Sequence, residues 1–399
     1  MNSLELFSGA GGLAKGLETA GFNHAGFVEF NKHACQSLRA NFDPAKVFCG
    51  DVRDYDFGQL SGIDVVAGGP PCQPFSMAGK HKAHDDSRDM FPYAIKAIDI
   101  LRPQAFIFEN VKGLLRPNFR EYFNYILLRL AFPDSLIDAN ESWASHLARL
   151  RKQMTFEPES VKYRVSHKLL NAADYGVPQS RERVVIVGIR SNIRGRWQFP
   201  AATHCSDQLL YEKWGSGAYW RRHGISPVQS DLEGDNSVQK ALQLEGQRDL
   251  FATRALPWRT VRDALVGVCD PRDPHTISGH EYRGGARSYP GHTGSELDLP
   301  AKTIKAGGHG VPGGENMMRF PDGTIRYFTT FEAKRIQTFP DDFVVEGAWG
   351  EAMRQVGNAV PVALAQRLGD SLVDCLTSCE AVVPHVQQLT GLNLAAQAA

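Results

Sequence analysis

Across the first 190 residues, short apolar runs alternate with segments of helical period, and that rhythm leaves few architectures open. Ser3–Phe7, Ala25–Phe30, Ile63–Ala67, Ala105–Phe108 and Arg183–Ile189 read as strands, and they are apolar nearly throughout. Strands of that kind belong to a parallel sheet covered by helices on both faces. Between the first two, Leu13, Ala14, Leu17 and Ala20 recur at helical spacing, with Gly21 placed to end the helix. The fold class expected is α/β, a doubly wound sheet spanning residues 1–190.

The character changes from Ser191 to Val345. Gly, Pro, Arg and aromatic residues increase, periodicity fades, and Gly307, Gly308, Gly310, Gly313 and Gly314 crowd into eight residues. This stretch is expected to form a second, smaller, loop-rich domain. A third part, 346–380, returns to helix: Val362, Leu364, Ala365, Leu368, Leu372 and Val373 form an apolar stripe. Pro133–Val161 is polar and helix-prone, an insertion without an evident task.

Lys and Arg number 44, equal to Asp and Glu, so no net positive field advertises nucleic acid. In 191–345, 19 basic residues face 18 acidic ones, and 14 of the 19 are Arg, the type suited to planar bidentate contacts. Nucleic acid, if bound, is therefore held by local clusters. The seven cysteines form no Cys-x-x-Cys pair and no zinc spacing, so no metal is expected and free thiols in a reducing compartment are. No bilayer-length apolar run and no signal peptide are evident, which points to a soluble cytoplasmic protein.

Four segments carry chemistry. Phe7-Ser8-Gly9-Ala10-Gly11-Gly12 follows a strand and opens a helix, where glycines admit a tight turn and close approach of a ligand. Glu29 ends the second strand, placed for ribose hydroxyls, and Asp51 sits where a third strand should end. Taken alone, Gly9-x-Gly11-x-x-Ala14 also fits a dinucleotide fingerprint, or a turn that merely packs helix on strand. Pro70-Pro71-Cys72-Gln73 sets a cysteine on a proline-stiffened loop at the sheet's carboxyl edge. Glu109-Asn110-Val111 ends a buried strand, where desolvation favours a protonated carboxyl or an ion pair replaces it. Gln179-Ser180-Arg181-Glu182-Arg183 puts two guanidiniums at the start of the strongest strand.

In this order, these motifs resemble those of the DNA (cytosine-5)-methyltransferase family, bacterial restriction–modification type. Arg335-Ile336-Gln337-Thr338-Phe339-Pro340 and Gln355-Val356-Gly357-Asn358-Ala359-Val360-Pro361 resemble its closing motifs, and the match spans most of 1–190 and 326–373. The resemblance implies a Rossmann-like methyltransferase sheet that uses S-adenosyl-L-methionine to methylate carbon 5 of a cytosine flipped from duplex DNA. It assigns catalysis to Cys72, Glu109, Arg181 and Arg183, with Cys72 attacking C6, Glu109 protonating N3, Arg183 holding O2 and Arg181 in support. It assigns the cofactor to Phe7, Gly9, Gly11, Glu29, Asp51, Pro70 and Asn358. Target recognition falls to roughly 191–325, near whose end Pro300-Ala301-Lys302-Thr303-Ile304 resembles a short threonine element. A monomer acting on DNA, off the membrane, with a cognate restriction endonuclease encoded nearby, completes the expectation. A tRNA methylase sharing the catalytic residues and a catalytically silent DNA-binding subunit are the alternatives.

Overall fold

The computed structural model describes residues 1–71, 89–227, 255–306 and 316–378. Its centre is a seven-stranded sheet in the order β3-β2-β1-β4-β5-β7-β6. The strands are β1 (Asn2–Leu6), β2 (Asn23–Glu29), β3 (Val47–Cys49), β4 (Val65–Gly68), β5 (Ala105–Val111), β6 (Tyr163–Asn171) and β7 (Glu182–Arg190). β1 to β5 run parallel, and β7 lies antiparallel between β5 and β6. The chain starts in the middle, winds outward to β3, then crosses back to β4. The order therefore reverses between β1 and β4, and ligands of open α/β sheets bind at the carboxyl end of that reversal. The five strands read from sequence all form, within three residues of the expected bounds, and the large, mostly parallel sheet is the fold expected.

Alternation along the strands divides the packing into two layers. Leu4, Leu6, Val66, Phe106, Phe108, Val184 and Ile186 face one core, covered by helices α3 (Phe91–Leu101) and α4 (Arg120–Ala131). Val65, Ala67, Ile107, Val185 and Val187 face the other, covered by α1 (Gly12–Thr19) and the last described helix, Val362–Thr377, while α2 (Lys32–Asn41) packs Cys35 and Leu38 with Phe27 and Val47. α1 ends as its sequence indicates: Gly21 N–H donates to Glu18 O and Phe22 N–H to Leu17 O. The last helix buries Val362, Leu364, Ala365, Leu368 and Leu372 of the expected stripe, with Cys375 beside them. Cys379 lies outside the described residues.

The close fit of α1 to that helix depends on glycine. A Cβ at Gly16 would stand 2.3 Å from Ala365 Cβ, and one at Gly12 would stand 2.3 Å from Val360 O. The glycines that follow the first strand thus do two jobs, and these two bring the end of the chain against its beginning.

Residues 261–336 build a separate core of Val261, Ile304, Met318, Phe328, Ala333 and Ile336, and helix Trp349–Asn358 contributes Met353 and Val356 to it. The passage from this core to the sheet core falls at Ala359–Pro361. Helix Thr330–Ile336 starts in a capping box of Thr329 and Glu332, and Arg326 grips the buried Glu332 carboxylate at 2.6 and 2.7 Å. The glycines at 307, 308, 310, 313 and 314 lie outside the described residues. The stretch 133–161 holds a further helix, α5 (Trp143–Phe156), whose Leu147 and Leu150 join the first core. Among the described residues no helix is long and apolar enough to cross a membrane.

Candidate active site

The turn after β1 is wound by left-handed residues: φ is +53° at Phe7, +55° at Gly9 and +89° at Gly11. Glycine takes these values freely, whereas Phe7 holds one at a cost of about 1 kcal/mol or more. A Cβ at Gly9 would meet no atom within 4 Å, so the turn is open on that side. At the end of β2 the Glu29 carboxylate accepts from Gly9 N–H at 2.7 Å and from Asn31 N–H at 2.8 Å. Burial pushes its pKa above the usual carboxylate value, offset in part by those backbone donors and by the Arg354 charge. The next residue, Phe30, is 75% exposed although it follows a buried strand. Read by pattern alone Phe30 is only a strand residue, and its one signal is an aromatic ring following an acid.

Asp51 lies two residues beyond β3 and caps the turn Val52–Asp54. Arg53 meets its carboxylate at 2.6 and 2.9 Å and holds its pKa below the ordinary value. It therefore shares the sheet edge with Glu29 but is already paired. Asn358, the last cofactor residue of the set, is exposed at the end of its helix, two residues before the Val360 carbonyl that covers Gly12.

The second half of the site lies one strand further on. Pro70 is buried, and its carbonyl accepts from Asn110 Nδ2 at 2.9 Å, while Pro71 O accepts from Met90 N–H at 3.1 Å. These bonds fix both roots of the segment that carries Cys72; Cys72 itself lies outside the described residues. A Cβ on Gly69 would stand 3.6 Å from Glu109 Oε2, which brings the exit of β4 against the end of β5. Glu109 and Arg183 share a face because Val111 pairs with Arg183 across β5 and β7. Glu109 Oε1 lies 2.6 Å from Arg183 Nε, each side chain 12% exposed. The contact is an ion pair, and among the described residues no group donates a hydrogen bond to Glu109 Oε1. Arg181, by contrast, points inward: it is fully buried and bonded to backbone carbonyls. Burial, with the Arg183 charge adding to it, pushes its pKa down to about 9, which leaves it protonated at neutral pH.

The two halves thus offer a glycine turn with a buried acid, an exposed aromatic ring, and a carboxylate–guanidinium pair beside a pinned proline loop. The family model described as C-5 cytosine-specific DNA methylase matches residues 1–133 and 143–374. The chain belongs to that family. The enzyme is 31% identical over 374 residues to the Type II methyltransferase M.NgoMIV of Neisseria gonorrhoeae, covering 94% of this chain and 97% of that one. It is also 31% identical to M.Eco47II of Escherichia coli, over 94% of this chain and 79% of the relative. Among solved structures, Schizosaccharomyces pombe Dnmt2 methyltransferase superposes with a TM-score of 0.58 at 17% identity, over 95% of this chain and all of that one, which speaks for the fold. The family match also revises the insertion. Within that stretch only residues 134–142 fall outside it, so α5 belongs to the shared pattern and the departure is shorter than 133–161. Membership implies use of S-adenosylmethionine by this methyltransferase.

Proposed function

We propose that this chain is the methylase of a restriction–modification system, which methylates carbon 5 of one cytosine within a short duplex site. The observation that supports it most is the Glu109–Arg183 pair beside the Pro70 loop. A flipped cytosine offers two acceptors, a ring N3 that a carboxyl group can protonate and a carbonyl O2 that a guanidinium can hold, which suits a largely buried Glu and Arg side by side. Carbon 5 of cytosine is a weak nucleophile. In our reading, the Cys72 thiolate forms a bond to C6, Glu109 supplies the proton at N3, and Arg183 holds O2. Electron density then reaches carbon 5. S-adenosylmethionine, when bound, supplies the methyl group as an electrophile. Solvent water then takes the carbon 5 proton, the electron pair left behind expels Cys72 from C6 as thiolate, and N3 gives its proton back to Glu109, which returns the enzyme.

On the cofactor side, Gly9 leaves the turn open, Gly11 lets it pack against Phe42 and Leu38, Glu29 accepts from ribose hydroxyls, and Phe7, Asp51, Pro70 and Asn358 line the cleft. To these we add Phe30, whose exposed ring offers an apolar face beside the acid for a purine. Phe30→Ala is expected to weaken binding of S-adenosylhomocysteine about tenfold in a calorimetric titration, with the melting temperature unchanged. Residues 1–190 would form the catalytic domain and 191–345 the recognition domain; of the third part, 346–380, the helix Val362–Thr377 closes on the former, while helix Trp349–Asn358 adds Met353 and Val356 to the core of the latter. Within 191–325, Arg and aromatic side chains would read base edges. The enzyme would act as a monomer in the cytoplasm, opposite an endonuclease encoded nearby.

The test is transfer of tritium from labelled S-adenosylmethionine to PCR-made duplex DNA and, separately, to tRNA. Label in DNA alone is expected. Label only in tRNA would move the enzyme to another substrate class, and label in neither would leave a silent subunit.

A further inference from the structure

One guanidinium joins three segments that are remote in sequence. Arg181 Nη1 donates to Ile304 O at 3.1 Å, and Nη2 donates to Gly357 O at 2.7 Å and Ala359 O at 3.0 Å. The last two carbonyls flank Asn358. Gln337 reinforces them from the same side, its Nε2 donating to Val356 O at 2.6 Å and Ala359 O at 3.2 Å. Gln179 closes the network: its Nε2 donates to Gln337 Oε1 at 3.1 Å, and its Oε1 accepts from Ile304 N–H at 3.1 Å. Arg181, Gln179 and Gln337 are all fully buried, while Asn358 is exposed.

Among the described residues, every hydrogen bond from this guanidinium goes to a backbone carbonyl, and its Nε is buried without a partner. Burying a charge on carbonyls alone is costly, and an apolar side chain could occupy the volume without that cost. What only a planar fork provides is a fixed distance between three peptide groups. Residues 303–306 are held against the same frame. Thr303 Oγ1 donates to Ser180 O at 2.8 Å, and a Cβ on Gly357 would stand 2.7 Å from the Lys305 carbonyl carbon. A shift of Ile304 therefore cannot leave the peptides around Asn358 in place.

We propose that Arg181 is a positioning residue that presents Asn358 to the cofactor and ties that presentation to the end of the recognition segment, so that DNA and cofactor tighten each other's binding. This rests on the reading of Asn358 as a cofactor contact and of 191–325 as the DNA-reading segment. Two sites that bias one shared element are coupled reciprocally. A double-mutant cycle tests it, with S-adenosylhomocysteine titrated into the full chain with and without saturating PCR-made duplex. Arg181→Lys and Asn358→Ala should each weaken binding about tenfold, and the double variant should bind within about twofold of Asn358→Ala alone. Duplex should tighten wild-type binding about fivefold or more, and in Arg181→Lys that factor should drop below about two. Independent, multiplicative losses would reduce Arg181 to a fold-stabilising residue, and an unchanged duplex effect would overturn the coupling. If Arg181→Lys does not fold, Gln337→Met, which removes only the amide of the same network, takes its place with the same expectations. Failure of the wild type to bind S-adenosylhomocysteine would instead sink the cofactor reading itself.

Discussion

Cys72→Ala abolishes methyl transfer to duplex DNA, with a fall on the order of 10⁴ or more, while binding of S-adenosylhomocysteine stays within about twofold of wild type. The expected size follows from the chemistry: without a bond to C6, carbon 5 stays too electron-poor to take up a methyl group. The structure adds why this cysteine can serve. Its segment leaves the sheet at a topological reversal, and its roots are tied by Asn110 to Pro70 and by Met90 to Pro71. A nucleophile on a pinned loop reaches its target at a set distance and angle. Duplex DNA carrying 5-fluorocytosine sharpens the measurement. Fluorine at carbon 5 cannot leave as a proton does, so the wild type should remain bonded to the DNA on a denaturing gel. The Cys72→Ala protein should show no such band; a band of equal strength would remove Cys72 from the mechanism.

Glu109→Gln lowers kcat by about 10²–10⁴ with little change in the KM for DNA. Glutamine keeps the shape and one hydrogen-bonding oxygen but has no proton to lend at N3. The KM should hold because Glu109 lies at a site of 12% exposure, reached only by the flipped base and not by the bulk of the duplex. Steady-state rates against DNA concentration separate the two constants, and a KM effect with kcat preserved would make Glu109 a binding residue instead. The change also leaves Arg183 without its carboxylate partner at a half-closed position. A modest fall in melting temperature is therefore expected, and it does not by itself account for the lost rate.

Much of this was legible before any coordinates. Buried parallel strands announce themselves as apolar runs, so β1, β2, β4, β5 and β7 stand where the sequence places them. Their carboxyl ends carry the glycine turn, Glu29, Pro70 and Glu109 to one edge. Partners across long separations were not legible. Arg181 and Arg183 look like twins in sequence, yet one faces Glu109 and the other finds carbonyls 123 and 176 residues away. Asp51 looked free to take a ligand, but an arginine two residues on already holds it. Phe30 escaped because exposure breaks the strand's apolar pattern at one residue, and a single residue carries no period. The helix α5 falls in the stretch read as helix-prone, but its packing through Leu147 and Leu150 was not legible, because its apolar residues are few.

The clasp between α1 and the last helix also bears on how the enzyme comes into being. Gly12 and Val362 are 350 residues apart in a chain made from its amino end. At ordinary rates of synthesis, roughly 20 to 70 s separate the appearance of the two. Until then one face of the sheet, with Val65, Ala67, Ile107, Val185 and Val187, lacks half its cover, and the peptides around Asn358 are not yet made. A nascent chain on the ribosome thus carries every residue of the Glu109–Arg183 pair yet lacks a finished cleft. Its apolar sheet face is meanwhile a natural client for chaperones. Methylation activity should therefore arrive all at once, with the final helix, rather than growing as the chain lengthens.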